Sequence, residues 1–361
     1  MKPISILVTG LSGGAYGEQI LKALRMAKTD YKVVGGDMSQ FSKGLLEVDN
    51  AYILPPAGDP AYVQTLLKIC DKHGVSAVFY GSEPELKAMS AARDEFQGHG
   101  LFLPINPAPV IDVCMDKVKT CDFLKTNHFN VPAYRRVTSA KDLDEFGKLP
   151  AVLKPSIGGG GSGNVFLAQT LHELLNFGQY LLSLYPEFIV QEYMGTPDSE
   201  FTVGILVSMD GELLNSIAVK RNILTGLSNR MKVPNCTDRA VLGPLLALSN
   251  GISQGEIGRF PEVTEPCERI AMSLRCRGVL NIQCRVVDGQ VYAFEINPRF
   301  SGTTSLRAMV GYNEPDVLIR KHLLGEHITP HFPYKSGVIT RGLSEVLMEP
   351  HGFQAAQDLW V

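Results

Sequence analysis

The sequence predicts an α/β protein in three parts: an N-terminal domain with a parallel sheet, a small middle subdomain carrying a glycine-rich flap, and a C-terminal domain with an antiparallel sheet. Three observations predict it. Strand-like and helix-like patterns alternate over the first hundred residues, four glycines stand between two strand-like halves in "AVLKPSIGGGGSGNVFLA", and two alternating runs, "VLNIQCRVV" and "QVYAFEINP", meet at Asp288-Gly289. The expected boundaries are 1–105, 106–190 and 191–361.

Taken in order, "ISILVTG" is a buried strand, Tyr16 to Lys28 an amphipathic helix, "YKVVGGD" a second strand, Tyr62 to His73 a second helix and "VSAVFYG" a third strand. The proline-dotted "LPINPAPV" marks a boundary near residue 106. A helix from Ile111 to Lys125, a strand "VPAYRRV" and a short helix "SAKDLDEF" with Ser139 as N-cap follow. After the glycines come a helix from Leu171 to Leu184 and strands "FIVQEYM" and "EFTVGILVS", the latter closed by a turn at "MDGEL". Residues 235–262, rich in Gly, Ser and Pro, give no clear pattern. A helix from Pro266 to Cys276 leads into the two alternating runs, then a helix from Glu314 to Leu324 and a closing strand in "SGVITRGLSEVLM".

At 361 residues the chain exceeds one ordinary core, and roughly two to three domains are expected. Hydrophobic residues make up 45%, charged residues 20%, and the net charge is −3. Such values describe an ordinary soluble chain and exclude a basic nucleic-acid binder. Seven cysteines without a C-x-x-C pair argue for reduced thiols. The opening "MKPISILVTG" is too short in apolar residues for a signal peptide, and no run approaches transmembrane length, so a cytoplasmic location is expected.

Glycine loses more conformational freedom on ordering than any other residue, so the run at Gly158 to Gly161 needs a reason. Flexible linkers have polar flanks, and these flanks are strand-like. In a P-loop the lysine follows the glycines and opens a helix, whereas Lys154 precedes them and a strand follows. What remains is a hairpin flap whose N–H groups can fold over phosphates, with Lys154 reaching the same phosphates from a strand, or else a mobile surface hairpin.

Gln283, Glu295 and Asn297 are oxygen donors of the kind a hard cation takes. Glu295 and Asn297 share a strand face, and Gln283 joins them only if the loop between the strands has an odd number of residues. A three-residue loop, Val287-Asp288-Gly289, is therefore expected; a two-residue Asp288-Gly289 turn would send Gln283 to the other side. Arg299 extends the row with a fork of donors for a phosphate or carboxylate. The competing reading is a half-buried hairpin with a polar face.

Lys117, Lys154 with its flap, "VQEYM", Glu200, Gln283 and "EINPR" stand in the order seen in the ATP-grasp superfamily, and the glutamine with the E-x-N-P-R ending most resembles the synthetase halves of the carbamoyl-phosphate synthase large chain. The resemblance runs to about residue 325. It implies a pre-ATP-grasp domain at the N-terminus, and ATP with Mg2+ or Mn2+ as cofactors. It further implies that Lys117, Lys154, Gly159, Gly160, Gly161 and Ser162 meet the phosphates. Gln191, Glu192, Tyr193 and Met194 correspond to the adenine hinge, and Glu200 to the acceptor of the ribose hydroxyls. Gln283, Glu295 and Asn297 correspond to the metal ligands, and Arg299 to the group that stabilises an acyl phosphate. The family's usual chemistry is phosphorylation of a small-molecule carboxylate and attack on the acyl phosphate by an amine, with release of ADP and phosphate. Arg221 and Arg230 are candidates for holding the carboxylate. The chain departs from the carbamoyl-phosphate synthase pattern in having one synthetase-like half and an extra stretch at 235–262, which puts bicarbonate as substrate in doubt.

Other classes fit less well. Gly10, Gly13 and Gly17, with Asp37 beyond, do not keep the G-x-G-x-x-G spacing of a dinucleotide fold, and no Y-x-x-x-K occurs. Gly10 to Gly14 spells G-x-S-x-G, but on the first strand, where a hydrolase elbow does not sit. That turn either simply starts the first helix or offers its N–H groups to a second substrate. His322 and His327 form no metal spacing and are expected at the surface, and Cys284 is expected to pack. A non-catalytic ATP-binding protein, or a carbamoyl-type phosphotransferase, shares the same motifs. Partners are expected to be small molecules, with neither nucleic acid nor membrane, and a homodimer stays open.

Overall fold

In the computed structural model, residues 2–14, 16–158, 163–224 and 226–346 and the backbone of 354–355 are described. The first part runs β1 (Ile4–Thr9), α1 (Tyr16–Arg25), β2 (Tyr31–Asp37), β3 (Asn50–Ile53), α2 (Tyr62–His73), β4 (Ala77–Phe79), α3 (Glu83–Ala91) and α4 (Arg93–Gly98). The second runs α5 (Ala108–Met115), α6 (Lys117–Thr126), β5 (Tyr134–Val137), α7 (Ala140–Asp144), β6 (Ala151–Pro155), β7 (Phe166–Ala168), α8 (Leu171–Leu184) and β8 (Phe188–Glu192). The third runs β9 (Glu200–Val207), β10 (Leu213–Arg221), β11 (Asn229–Pro234), β12 (Leu245–Ser249), β13 (Gly255–Gly258), α9 (Pro261–Ser273), β14 (Gly278–Val287), β15 (Gln290–Asn297), α10 (Thr304–Met309), α11 (Glu314–His322), β16 (Gly337–Ile339) and β17 (Gln354–Ala355).

The first sheet is parallel, in the order β17-β3-β2-β1-β4. Alternation along β1 explains its two buried faces. Ile6 and Val8 pack with Ile20, Leu24, Phe300 and Tyr312, while Leu7 faces Leu66, Val78 and Met89. The second sheet, β5-β8-β6-β7, is antiparallel, and β6 pairs with β7 as the expected hairpin, with Ala151 opposite Ala168. The third, β15-β14-β9-β10-β13-β16, is also antiparallel. One of its faces, including Val203, Ile205, Ile282 and Cys284, packs against α9 through Cys267 and Ile270, so Cys284 does pack as expected.

Several expectations need correction. The helix expected from Ile111 to Lys125 is two, because Asp116 breaks it: its side chain accepts from the Val118 and Lys119 amides and caps α6. The helix expected from Pro266 starts at Pro261, whose missing N–H costs nothing at the first helical position; Pro266 lies inside the helix, where it removes the bond its N–H would make to the Glu262 carbonyl. The closing strand shrinks to Gly337–Ile339. His322 is half-buried, stacks on Phe102 and accepts a hydrogen bond from the Met209 amide, while His327 is exposed. Within 235–262, β12 pairs with β11 and β13 joins the third sheet.

Candidate active site

Register in the third sheet determines which side chains meet. Antiparallel partners share a face, so β9 and β14 bring Glu200 beside Arg285, Thr202 beside Gln283, and Gly204 beside Asn281. On the other side of β14, Gln283 opposes Glu295 and Asn281 opposes Asn297. The turn is the two-residue Asp288-Gly289, both at positive φ, and not the expected three-residue loop. A uniform ladder from that turn would oppose Gln283 to Phe294 and bury Glu295 in the core. A β-bulge between Cys284 and Gln283 takes up Phe294 as an extra residue, so Gln283, Glu295 and Asn297 share a face for a reason other than loop length.

That face floors a cleft. Lys117, Lys154, Gln191, Glu192, Tyr193, Met194, Glu200, Gln283, Glu295, Asn297 and Arg299 all line it. Gly159, Gly160, Gly161 and Ser162 lie outside the described residues. The apolar side is made by Val152, Val165, Met194 and Leu248, a slot suited to a planar ring. The Met194 amide has no hydrogen-bond partner among the described residues, whereas its carbonyl accepts from Arg285 at 3.0 Å. Gln191 is buried and donates to Cys121, and Glu192 pairs with Arg239 at 2.7 Å.

The opposite end is charged. Lys154, 5% exposed, donates to the Phe294 carbonyl at 3.1 Å. Burial lowers its pKa from 10.5 to about 8, an effect that Glu295 partly opposes. Burial alone would raise the Glu295 carboxyl, but Lys117 and Lys154 outweigh it and hold it below the ordinary range. Asn297 donates to Glu295 at 3.1 Å and accepts from Arg299 at 3.1 Å. One carboxylate with two amide oxygens fits a cation that completes its shell from phosphates. Among the described residues no cluster of three or more His, Cys, Asp or Glu could hold a metal unaided.

Glu200 is committed on both oxygens, to Arg221 at 2.9 Å and to Arg285 at 3.0 Å. These cations overcome the effect of burial and keep it ionised. Arg221 also holds Ser249 and the Asn250 and Ile252 carbonyls, so it braces the floor and is not free to swing towards a substrate. Arg230 is exposed on β11 and lines neither this cleft nor its neighbour. Sequence reasoning passed over Arg285, which stacks on Tyr193 at 4.3 Å; its place two residues beyond Gln283 was the available signal. It also passed over Leu248, Asn250 and Glu83, the first two in the stretch without a pattern.

A second cavity adjoins the first and shares Glu83, Asn250, Gln283 and Arg299 with it. Gly14, Tyr16, Ser82 and Lys87 wall it on the N-terminal side, at the carboxyl ends of β1 and β4. These strands flank the point where the sheet order reverses, the usual ligand position in open α/β sheets. Ser12 is bonded to Asp37 at 2.9 Å, so it is not poised as a nucleophile.

Comparison with known proteins gives a family model described as "PylC-like, N-terminal domain" over residues 6–103 and one described as "ATP-grasp in the biosynthetic pathway with Ter operon" over 249–344. The carbamoyl phosphate synthase large chain of Thermoanaerobacter sp. (strain X514) is 28% identical over 201 residues, 54% of this chain and 17% of that protein. The match thus spans about a sixth of that relative's length. Among solved structures, N5-carboxyaminoimidazole synthetase from Staphylococcus aureus, complexed with ADP, aligns with a TM-score of 0.63 at 17% identity, covering 94% of this chain and 81% of that one. L-amino acid ligase from Bacillus licheniformis aligns at 0.62 and 17%, covering 91% and 78%. No helix among the described residues is long and apolar enough to cross a membrane. With one model on its first sheet, an ATP-grasp model on its third and this fold from end to end, the chain is an ATP-grasp superfamily protein with a PylC-like N-terminal domain.

Proposed function

We propose that the protein is an ADP-forming carboxylate–amine ligase. The observation that carries this reading is the single cleft in which Lys117, Lys154, Glu295, Asn297 and Arg299 face one another across from an apolar slot. In this reading residues 1–105 form the pre-ATP-grasp domain, 106–190 the lid subdomain and 191–361 the remainder. The base lies between Val152 and Leu248 against the Gln191 to Met194 hinge. Lys117, Lys154 and the flap glycines hold the phosphates. Gln283, Glu295 and Asn297 hold Mg2+ or Mn2+, which when bound neutralises phosphate charge. Glu200, fixed by two arginines, presents its edge to the ribose, and Arg221 acts by positioning it.

Arg299 spans the two cavities and faces the carboxylate that takes up the phosphoryl group. A carboxylate oxygen attacks the terminal phosphorus, ADP leaves, and an amine then displaces phosphate from the acyl carbon. The chain's own contribution is alignment and charge compensation in a cleft that limits water.

The test is Mg-ATP turnover against pools of carboxylates and amines, with phosphate, ADP and AMP all measured and Glu295→Gln as control. ADP and phosphate that need both pools, and that fall at least about 100-fold in the variant, support the ligase. AMP formation overturns the acyl-phosphate route. Turnover with a carboxylate alone moves the reading to a phosphotransferase, and ATP binding without turnover in any pool moves it to a binding protein.

A further inference from the structure

Resting on the ligase reading above, we propose that the carboxylate substrate is an α-amino acid, with Glu83 holding its ammonium and Arg299 its carboxylate. Glu83 lines both cavities and is the only acid among the described residues that line the second. Its one side-chain hydrogen bond among the described residues is to Arg299 at 3.4 Å, well beyond the 2.7–2.9 Å of a good charge-assisted contact. Acceptor capacity therefore remains open towards the cavity. The helix it begins does not need it as a cap, since Ser82 and Glu85 bond to each other there. Lys87, one turn further along, makes no ion pair with it among the described residues.

Arg299 is held in a fixed orientation. Its guanidinium lies over the Tyr16 ring at 4.4 Å and bonds to the Phe300 carbonyl and Asn297, while its Nε has no hydrogen-bond partner among the described residues. An acid and a guanidinium this close match an ammonium and a carboxylate carried on one carbon. A substrate with widely separated charges cannot engage both. Bicarbonate, or a carboxylate without an amino group, would compete with Glu83 for Arg299 and bring a second negative charge beside it with no ammonium to offset the repulsion, which costs binding. The remaining wall includes Thr202, Ser253, Asn281 and Thr303, which suits a small polar side chain.

The experiment takes hydroxylamine as the amine, so that no natural acceptor has to be known. The amino-acid carboxylate oxygen attacks the terminal phosphorus of ATP and ADP leaves. The hydroxylamine nitrogen then attacks the acyl carbon, phosphate leaves, the nitrogen's proton goes to solvent, and an acyl hydroxamate is measured. The common amino acids and their D-forms are each compared with the same acid lacking its amino group, using wild type and Glu83→Gln. The amino acid is expected to exceed its deaminated analogue by at least about 10-fold in kcat/KM, and Glu83→Gln to raise its KM by about 10- to 100-fold and remove that preference.

Equal use of the deaminated acid by wild type overturns the proposal and leaves the ligase standing, a comparison that does not depend on the variant folding. A uniform loss for both acids in Glu83→Gln also overturns it. Hydroxamate from no carboxylate, with ADP still bound, removes the ligase reading and this proposal together.

Discussion

Replacing Lys154 by Met should stabilise the protein free of nucleotide. With its pKa lowered from 10.5 to about 8 by burial, the charged ammonium costs folding about 3 kcal/mol at pH 7. The cost is complete below about pH 8 and is relieved as pH rises towards 10.5, where the unfolded chain keeps a proton that the folded one has lost. Met fills the space of the lysine stem, but it loses the bond to the Phe294 carbonyl, which returns about 1 kcal/mol. The net gain is about 2 kcal/mol at pH 7. At pH 9.5 the ionisation cost has fallen to about 1.4 kcal/mol, and the gain nearly vanishes. Urea unfolding of both proteins at the two pH values measures it. A variant less stable than wild type at pH 7, or a difference that does not change with pH, refutes the argument. Mg-ADP should reverse the order, because only wild type gains binding energy from the lysine.

Arg285→Met should cost about 3–5 kcal/mol in urea unfolding by leaving the buried Glu200 carboxylate with Arg221 alone, and adding Glu200→Gln should recover part of the loss. Gly81→Ala should lower the melting temperature, by about 1–3 kcal/mol of stability, because a Cβ there would overlap the Gly10 carbonyl where β1 and β4 end beside the second cavity. Asp116→Ala should cost about 1–2 kcal/mol, since it removes the α6 cap and the partner of Ser156, with calorimetry as the readout.

Much of this architecture was legible because periodicity reports burial. β1, β2 and α2 could be read directly, and α2 has the expected bounds. What was illegible depends on contacts distant in sequence. Asp116 looks like a mid-helix residue until Ser156 meets its carboxylate from the far side of the chain. The strand at Leu245–Ser249 is short and joins a two-stranded sheet, so its alternation gives too few residues to read. Glu83 carries no motif at all; its interest arises only because Arg299, 216 residues away, is folded against it. For Gln283 and Glu295 the expected alignment was reached through the wrong device, since loop length is countable in a sequence and a bulge is not.

The bulge at Phe294 has a mechanical consequence. An extra residue in a ladder leaves its carbonyl without a cross-strand donor, and here that carbonyl accepts a hydrogen bond from Lys154 of the second sheet. An ammonium has three donors, so a phosphate can engage Lys154 without displacing this tie. The irregularity that aligns Gln283, Glu295 and Asn297 thereby also ties the strand leading into the glycines to that face, so in the proposed reading a nucleotide held by Lys154 would meet one joined unit and not two independent halves.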